Sequence, residues 1–390
     1  MSPTVAVVGA SLAGLSAARA LRERSYDGRV VVVGDEVHAP YDRPPLSKDF
    51  LAGRASLDDI ALGAPDDEDL ALEWRLGTTA VGLDPAGRAV LLADGSEVRA
   101  DGVVLATGAR ARRLPGSEGL AGVHVLRTLD DAVALQADLA GAGSLVVIGG
   151  GFIGAEVAST ARGLGLDVTV VEALPVPLSG PLGEEMGAVV AGLHAAHGTR
   201  LLVGTGVAGL VGTGRVEAVE LTDGTRLPAD VVVVGIGAVP NTEWLAGSGL
   251  ALGNGVLTDA RGATGNPAVV AVGDCAATWS GAAERHVRTE HWTHALEQPA
   301  TAVATLLGST EPAPAPVPYF WSDQYGARIQ FAGSRRTADV PRVVEGSTAE
   351  GSFLAVYERD GQPVAVLGVD QPRLFTRWRR QLRSAVPSPS

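Results

Sequence analysis

The chain has 390 residues, of which 46% are hydrophobic and 19% charged, and a formal net charge of -13. That length exceeds one ordinary core and predicts two or three domains, while the acidic balance argues against general nucleic-acid binding. Cys275 is the sole cysteine, which excludes an internal disulfide, a CxxC redox pair and a cysteine zinc site.

The N-terminal MSPTVAVVGASLAG lacks the basic region of a signal peptide, and no stretch is apolar over a membrane span; a cytoplasmic protein with no membrane contact is expected. VAVVGASLAGLSAARAL (5–21) is an apolar run, a glycine-rich turn and a helix-like segment, followed by RVVVVGD, which ends at the acid Asp35. Valine runs flanked by glycine are the pattern of a parallel strand covered on both faces. In a G-x-G-x-x-G turn the first glycine permits the bend, the second admits a pyrophosphate, and the third lets helix and strand pack. Gly9 and Gly14 hold the outer places here, and Ser11 stands in the middle one. PYDRPPLSKDFL (40–51) then contains Lys48, the only lysine beside 30 arginines. A compact ammonium differs from a planar guanidinium, so the single exception points either to a position needing a point charge or to chance.

The same unit returns further on. LVVIGGGFIGAEVASTA (145–161) carries all three glycines, Gly149, Gly151 and Gly154, and DVTVVE closes it at Glu172. DGSEVRADGVVLATGA (94–109) likewise matches DGTRLPADVVVVGIGA (223–238) position for position. One such turn alone is weak evidence, because an ordinary tight bend can share its sequence. Two copies, each in a βαβ pattern with an acid near the expected distance of about 20 residues, predict two bound dinucleotides. The expected fold is therefore α/β: two doubly wound Rossmann-like nucleotide-binding domains, joined to a small C-terminal α+β domain.

GSTEPAPAPVPYFW (308–321) is proline-rich and reads as an extended linker. RIQFAGS, RVVEGS and SFLAVYERDGQPVAVLGVD follow as strands with a DG turn, QPRLFTRWRRQLRS as a helix and SAVPSPS as a frayed tail. Arg377, Arg379, Arg380 and Arg383 crowd that helix, and residues 311–390 hold 10 Arg against 8 Asp or Glu. Such a patch would steer an acidic partner; a solvated helix face is the alternative.

With ATGARARRLP, GIGAVPNT, VGDCA, EHWTHALEQ and YFWSDQYG, these motifs give the chain a resemblance running from about residue 4 to about residue 383. It resembles the FAD-dependent NADH:ferredoxin reductases of oxygenase and cytochrome P450 systems, within the glutathione reductase superfamily. The resemblance implies an FAD-binding domain in two segments (1–108 and 235–311), an NADH-binding domain (109–234) and an α+β interface domain (312–390). It places FAD on Gly9, Ser11 and Gly14, with Asp35 at its adenosine ribose, Arg43 in contact and Lys48 beside the flavin. Ala106, Thr107, Gly108 and Arg110 would close over the same cofactor, Asp274 would bind the ribityl chain, and Trp292 would line the ring. Val81 and His291 are further expected FAD contacts, and Ile153, Gly235 and Gly237 join Gly149, Gly151, Gly154 and Glu172 at the nicotinamide cofactor. Glu156 resembles the residue near the nicotinamide, an ordinary first-turn helix acid being the alternative. Glu172 favours NADH, because a carboxylate accepts both ribose hydroxyls and repels a 2'-phosphate, and EALPVPL offers no arginine to hold one.

The expected reaction is hydride transfer from NADH to the flavin, the electrons leaving singly to a small ferredoxin, of [2Fe–2S] or similar type, and so to a P450 or dioxygenase. Lys48, Glu156 and Trp292 are the expected catalytic residues, no metal is required, and the protein would be a monomer or homodimer. Two alternatives stay open. An NADH oxidase or peroxidase would use a redox cysteine, but Cys275 follows the ribityl-binding Asp274 instead of lying in the N-terminal half. A redox sensor similar to apoptosis-inducing factor would change its assembly state when reduced.

Overall fold

In the computed structural model, residues 3–86, 88–281, 283–313 and 317–385 are described. The valine runs form the centres of two five-stranded parallel sheets. The first has the order Val269–Ala271, Gly102–Leu105, Thr4–Val8, Arg29–Val33, Leu72–Arg75. The second runs Arg200–Val203, Asp167–Glu172, Ser144–Ile148, Val231–Val234, Val123–His124. Each sheet starts with strand, glycine turn and helix, the helices being Leu12–Glu23 and Phe152–Gly163. The matched segments 94–109 and 223–238 contribute equivalent strands: Gly102–Leu105 lies beside Thr4–Val8 as Val231–Val234 lies beside Ser144–Ile148. The repeat read in the sequence is thus a repeat of structure.

Alternation explains why these strands carry no polar face. Val5, Val7 and Val30 pack with Leu21 of the first helix, while Ala6, Val8 and Val31 pack into a separate cluster on the opposite side. Burying each valine or leucine of these clusters contributes about 1.5–3 kcal/mol, so a sheet covered on both faces is held from both sides.

The last sheet is antiparallel, with the order Tyr319–Gln324, Ala327–Gly333, Gln362–Val369, Ser352–Arg359, Val340–Ser347. The helix Pro372–Ala385 covers one face through Phe375 and Leu382, and Leu182, Met186 and Val190 cover the other. This is the expected α+β unit, with the DG turn at Asp360 and Gly361, both at positive φ. The linker reading needs correction. Tyr319, Phe320 and Trp321 are strand residues paired with Ala332, Phe331 and Gln330, because their rings gain burial and stacking that no solvated linker offers. Residues 314–316 of that linker, and 386–390 of the expected tail, lie outside the described residues. No helix among the described residues is long and apolar enough to cross a membrane.

A hairpin turn ties this sheet to the second parallel domain. Tyr325 occupies the left-handed region (φ 53°) ahead of Gly326 (φ 82°), a conformation that costs a bulky residue about 1–3 kcal/mol. Three contacts hold it: its N–H donates to Ser159 Oγ, its hydroxyl donates to Thr199 Oγ1, and it pairs with His194 Nδ1 at 2.8 Å. Burial pushes His194 down to about 4 from 6.5. A base whose folded pKa is depressed binds fewer protons than the unfolded chain does, so its stabilising effect is lost as pH falls from about 6.5 towards 4. Chemical denaturation is expected to show wild type losing on the order of 2 kcal/mol between pH 7.5 and 5 through this group. His194→Gln should lose correspondingly less over the same interval; an equal loss would release His194 from this role.

Candidate functional site

A cavity of about 540 Å³ opens where the first glycine turn, the 40–48 segment, the helix Phe152–Gly163 and the strand Tyr319–Gln324 converge. Its floor is built by close backbone approach. Gly9 has φ 118°, and a Cβ there would lie 2.1 Å from the Ala106 carbonyl oxygen. Gly14 does not reach the cavity; it packs the helix onto the strand, since a Cβ would lie 1.8 Å from Gly9 O. Ser11 is the helix N-cap and makes no side-chain cap bond, so the helix's first N–H groups lack a side-chain cap where Ser11, Leu12 and Ala13 line the cavity. Uncapped N–H groups and the helix dipole suit a pyrophosphate.

Of the residues expected at FAD, the cavity brings together Gly9, Ser11, Asp35, Arg43, Lys48, Ala106, Thr107, Gly108, Arg110, Asp274, His291 and Trp292, with Ile153 and Glu156 from the second domain. Val81 is a correction. It lies on the strand Ala80–Asp84, outside the lining, and is 51% exposed. Arg110 lies at the rim and is turned towards Glu243 and Asn241. Arg43 donates to Glu36 Oε1 (2.6 Å) and to the Arg127 carbonyl, so it braces the cavity wall beside Ser11, whose Oγ lies 3.4 Å from its Nε. Arg127 had no assigned role, yet it donates to Asp274 Oδ2 at 2.6 Å. Trp292 Nε1 donates to Asp42 Oδ1 at 2.6 Å, and burial raises the Asp42 carboxyl above its ordinary value. Asp42 stands inside the PYDRPPLSK stretch, where the motif drew attention to it without a role; Arg127 had no such signal.

Lys48, the sole lysine, lines the cavity. Nζ donates to the Pro44 carbonyl (2.9 Å) and to Glu156 Oε2 (2.7 Å), which leaves one of its three N–H groups for the cavity. Glu156 is 5% exposed, and accepts further bonds from Ser47 Oγ, Ser322 Oγ and Asp323 N. It is not a solvated helix acid. A buried charge pair persists only with its remaining lone pairs satisfied, and here two segments of chain, 47–48 and 322–323, satisfy them.

The second glycine turn repeats the first in detail. A Cβ on Gly149 would lie 2.3 Å from Gly235 O, and one on Gly154 2.3 Å from Gly149 O. Gly151 caps its helix without a side-chain bond and has open space above it. Glu172 accepts from Gly150 N and Leu174 N, both at 2.8 Å. Gly237, at φ 98°, lies two residues beyond Gly235 and likewise faces open space.

Two lining residues leave buried polar atoms without a protein partner, Arg127 Nε and His291 Nδ1; burial pushes His291 down to about 4. With the uncapped helix end and the glycine floor, these atoms fit FAD in the cavity, while the second turn and Glu172 fit a nicotinamide dinucleotide. Cys275 is fully buried, its thiol against the Val272 and Leu105 carbonyls and raised by burial. It is packing, not chemistry.

Two dinucleotide sites meeting across a buried Lys–Glu pair define a flavin- and nicotinamide-dependent oxidoreductase. The chain belongs to the pyridine nucleotide-disulphide oxidoreductase family, whose model matches residues 3–299, and a reductase C-terminal model matches residues 319–389. It is 40% identical over 390 residues to the ferredoxin reductase component of chlorobenzene dioxygenase from Cupriavidus sp., covering 99% of this chain and 94% of that one. It is 38% identical to rhodocoxin reductase of Rhodococcus erythropolis, covering 98% and 90% of the two chains. The solved covalent complex of putidaredoxin reductase with putidaredoxin superposes with a TM-score of 0.93 at 35% identity, covering 99% of this chain and 94% of that one.

Proposed function

We propose that this chain is an NADH:ferredoxin reductase, with FAD on residues 1–108 and 235–311, NADH on 109–234 and a partner-facing domain over 312–390. Bound FAD would convert the two-electron donor into a one-electron source. The chain's residues orient and exclude. Lys48, held by Pro44 and Glu156, presents an ammonium to the cavity; Phe152 and Phe320, with rings 4.7 Å apart, give its wall an apolar patch; Glu172 takes the NADH ribose. The lack of a second cysteine and the burial of Cys275 leave no thiol route to peroxide.

The observation that carries the reading is a line of aromatic rings leading out of the cavity. Trp292 meets Trp321 edge-on at 5.9 Å, Trp321 stacks on Tyr319 at 5.9 Å, and the Arg379 guanidinium lies 4.0 Å over Tyr319. Such a line suits single electrons and ends beneath the basic helix. Of that helix's arginines, Arg373, Arg377 and Arg380 line its shallow outer groove, whereas Arg383 approaches Glu297 at 3.6 Å. An acidic [2Fe–2S] ferredoxin, itself serving a P450 or dioxygenase, is the partner this face suits. Arg373→Glu with Arg377→Glu is expected to raise the KM for such a ferredoxin about tenfold and flatten its salt dependence, with NADH–ferricyanide turnover unchanged. Equal ferredoxin kinetics in the double variant would move the docking face elsewhere.

The deciding experiment reduces the FAD-loaded protein with one equivalent of NADH under anaerobic conditions, then adds a [2Fe–2S] ferredoxin or, separately, air. Rapid reoxidation by ferredoxin and slow reoxidation by air are expected. The reverse order means an oxidase, and a long-lived reduced complex indifferent to both means a sensor.

A further inference from the structure

The strand Tyr319–Gln324 has two unlike faces. Tyr319 and Trp321 turn into the C-terminal core, while Phe320, Ser322 and Gln324 turn towards the helix Phe152–Gly163. Ser322 is 0% exposed and Gln324 is 1% exposed. Polar side chains at such positions cost stability unless hydrogen-bonded, and an apolar pair would serve better for docking alone. Their bonds run in one direction: Gln324 Nε2 donates to Ser322 Oγ (3.0 Å), Ser322 Oγ donates to Glu156 Oε1 (2.7 Å), and Lys48 Nζ donates to Glu156 Oε2 (2.7 Å).

We infer that Ser322 and Gln324 are positioning residues for the cofactor cavity, through which the C-terminal domain sets the orientation of Glu156 and hence the place of the Lys48 ammonium. This rests on the FAD reading above. The geometry favours a positioning role over plain adhesion in two ways. The next residue, Tyr325, is held in its unfavourable conformation by Ser159, Thr199 and His194, which fixes the register of the whole turn against the helix that carries Glu156. Also, among the described residues Glu156 Oε1 has one other donor, Asp323 N at 3.3 Å, so without Ser322 that oxygen keeps a single long bond. The carboxylate then turns towards Ser47 and Lys48, drawing the ammonium from the cavity.

The test uses FAD-loaded wild type, Ser322→Ala, Ser322→Thr and Gln324→Met. For each, the midpoint potential of the bound FAD is measured by dye equilibration, along with kcat and KM for NADH with ferricyanide, and the melting temperature. Ser322→Ala is expected to move the potential to a more negative value and lower kcat about tenfold, with KM within about twofold. Gln324→Met should shift both readouts less in the same direction, and Ser322→Thr, which keeps the hydroxyl, should return to wild type. An unchanged potential in Ser322→Ala, even with a lowered melting temperature, leaves adhesion alone and overturns the inference. So does a threonine variant that keeps the wild-type melting temperature yet is no better than alanine in potential. If Ser322→Ala does not retain FAD, Gln324→Met decides by the same potential and kcat criteria. A wild-type protein that neither retains FAD nor accepts electrons from NADH fails the functional reading itself, which separates the two.

Discussion

Lys48→Met is expected to lower NADH-driven turnover about 100-fold, the scale seen when one charge-stabilising donor is removed from a preorganised site. The argument starts from the ammonium's surroundings. Nζ is fixed by Pro44 O and Glu156 Oε2 with 18% of the side chain exposed, so its position needs no reorganisation during the reaction. Methionine matches the stem and lacks the charge, leaving Glu156 buried without its cation. Losing one partner of such a pair costs about 3–5 kcal/mol, moderated here because Ser47, Ser322 and Asp323 still donate to the carboxylate. Lys48→Arg keeps the charge but replaces a point donor with a longer planar fork, which changes where the charge sits relative to Pro44 O and Glu156; turnover should fall about tenfold. Stopped-flow reduction by NADH at constant FAD occupancy checks both. Wild-type rates in the two variants would return the sole lysine to chance.

What the sequence disclosed and what it hid divide along a physical line. The two strand–turn–helix units were legible because each is local, repeated, and constrained by backbone contacts such as Gly9 against Ala106 and Gly149 against Gly235. The odd lysine was legible as a change in chemistry. Glu156 could be placed near the nicotinamide only by resemblance, and its partners Ser47 and Ser322, 109 and 166 residues away, carry no pattern that a one-dimensional reading could join to it. The same holds for Arg127 with Asp274, 147 residues apart. Tyr319–Gln324 was obscured by composition: its proline-rich approach resembles a linker, and only pairing with Ala327–Gly333 makes it a strand. Arg379 illustrates the remaining ambiguity. In sequence it belongs to a charged cluster, but its stacking on Tyr319 and partial burial, which lowers its pKa, make it part of the packing beneath that cluster.

Glu172→Ala is expected to raise the KM for NADH by about 10–100-fold, matching loss of hydrogen bonds to a charged group, with kcat within about twofold. Two effects combine in that figure. The carboxylate pins the glycine turn from both sides, Oε2 accepting from Gly150 N and Oε1 from Leu174 N, and each oxygen keeps a lone pair for a ribose hydroxyl. Alanine removes the ribose acceptor and also frees the turn. Glu172→Gln separates the two, because its carbonyl can retain one backbone bond while the negative charge is gone. NADPH efficiency should therefore improve relative to NADH in both variants, since the repulsion of a 2'-phosphate disappears, but absolute NADH efficiency should be better preserved in glutamine than in alanine. A change in KM without a change in kcat identifies binding common to ground and transition states, as expected for a residue at the adenosine end. If the ratio of NADH to NADPH efficiency is unchanged in Glu172→Ala, the carboxylate serves only the turn, and cofactor choice must be set by other residues of the second domain.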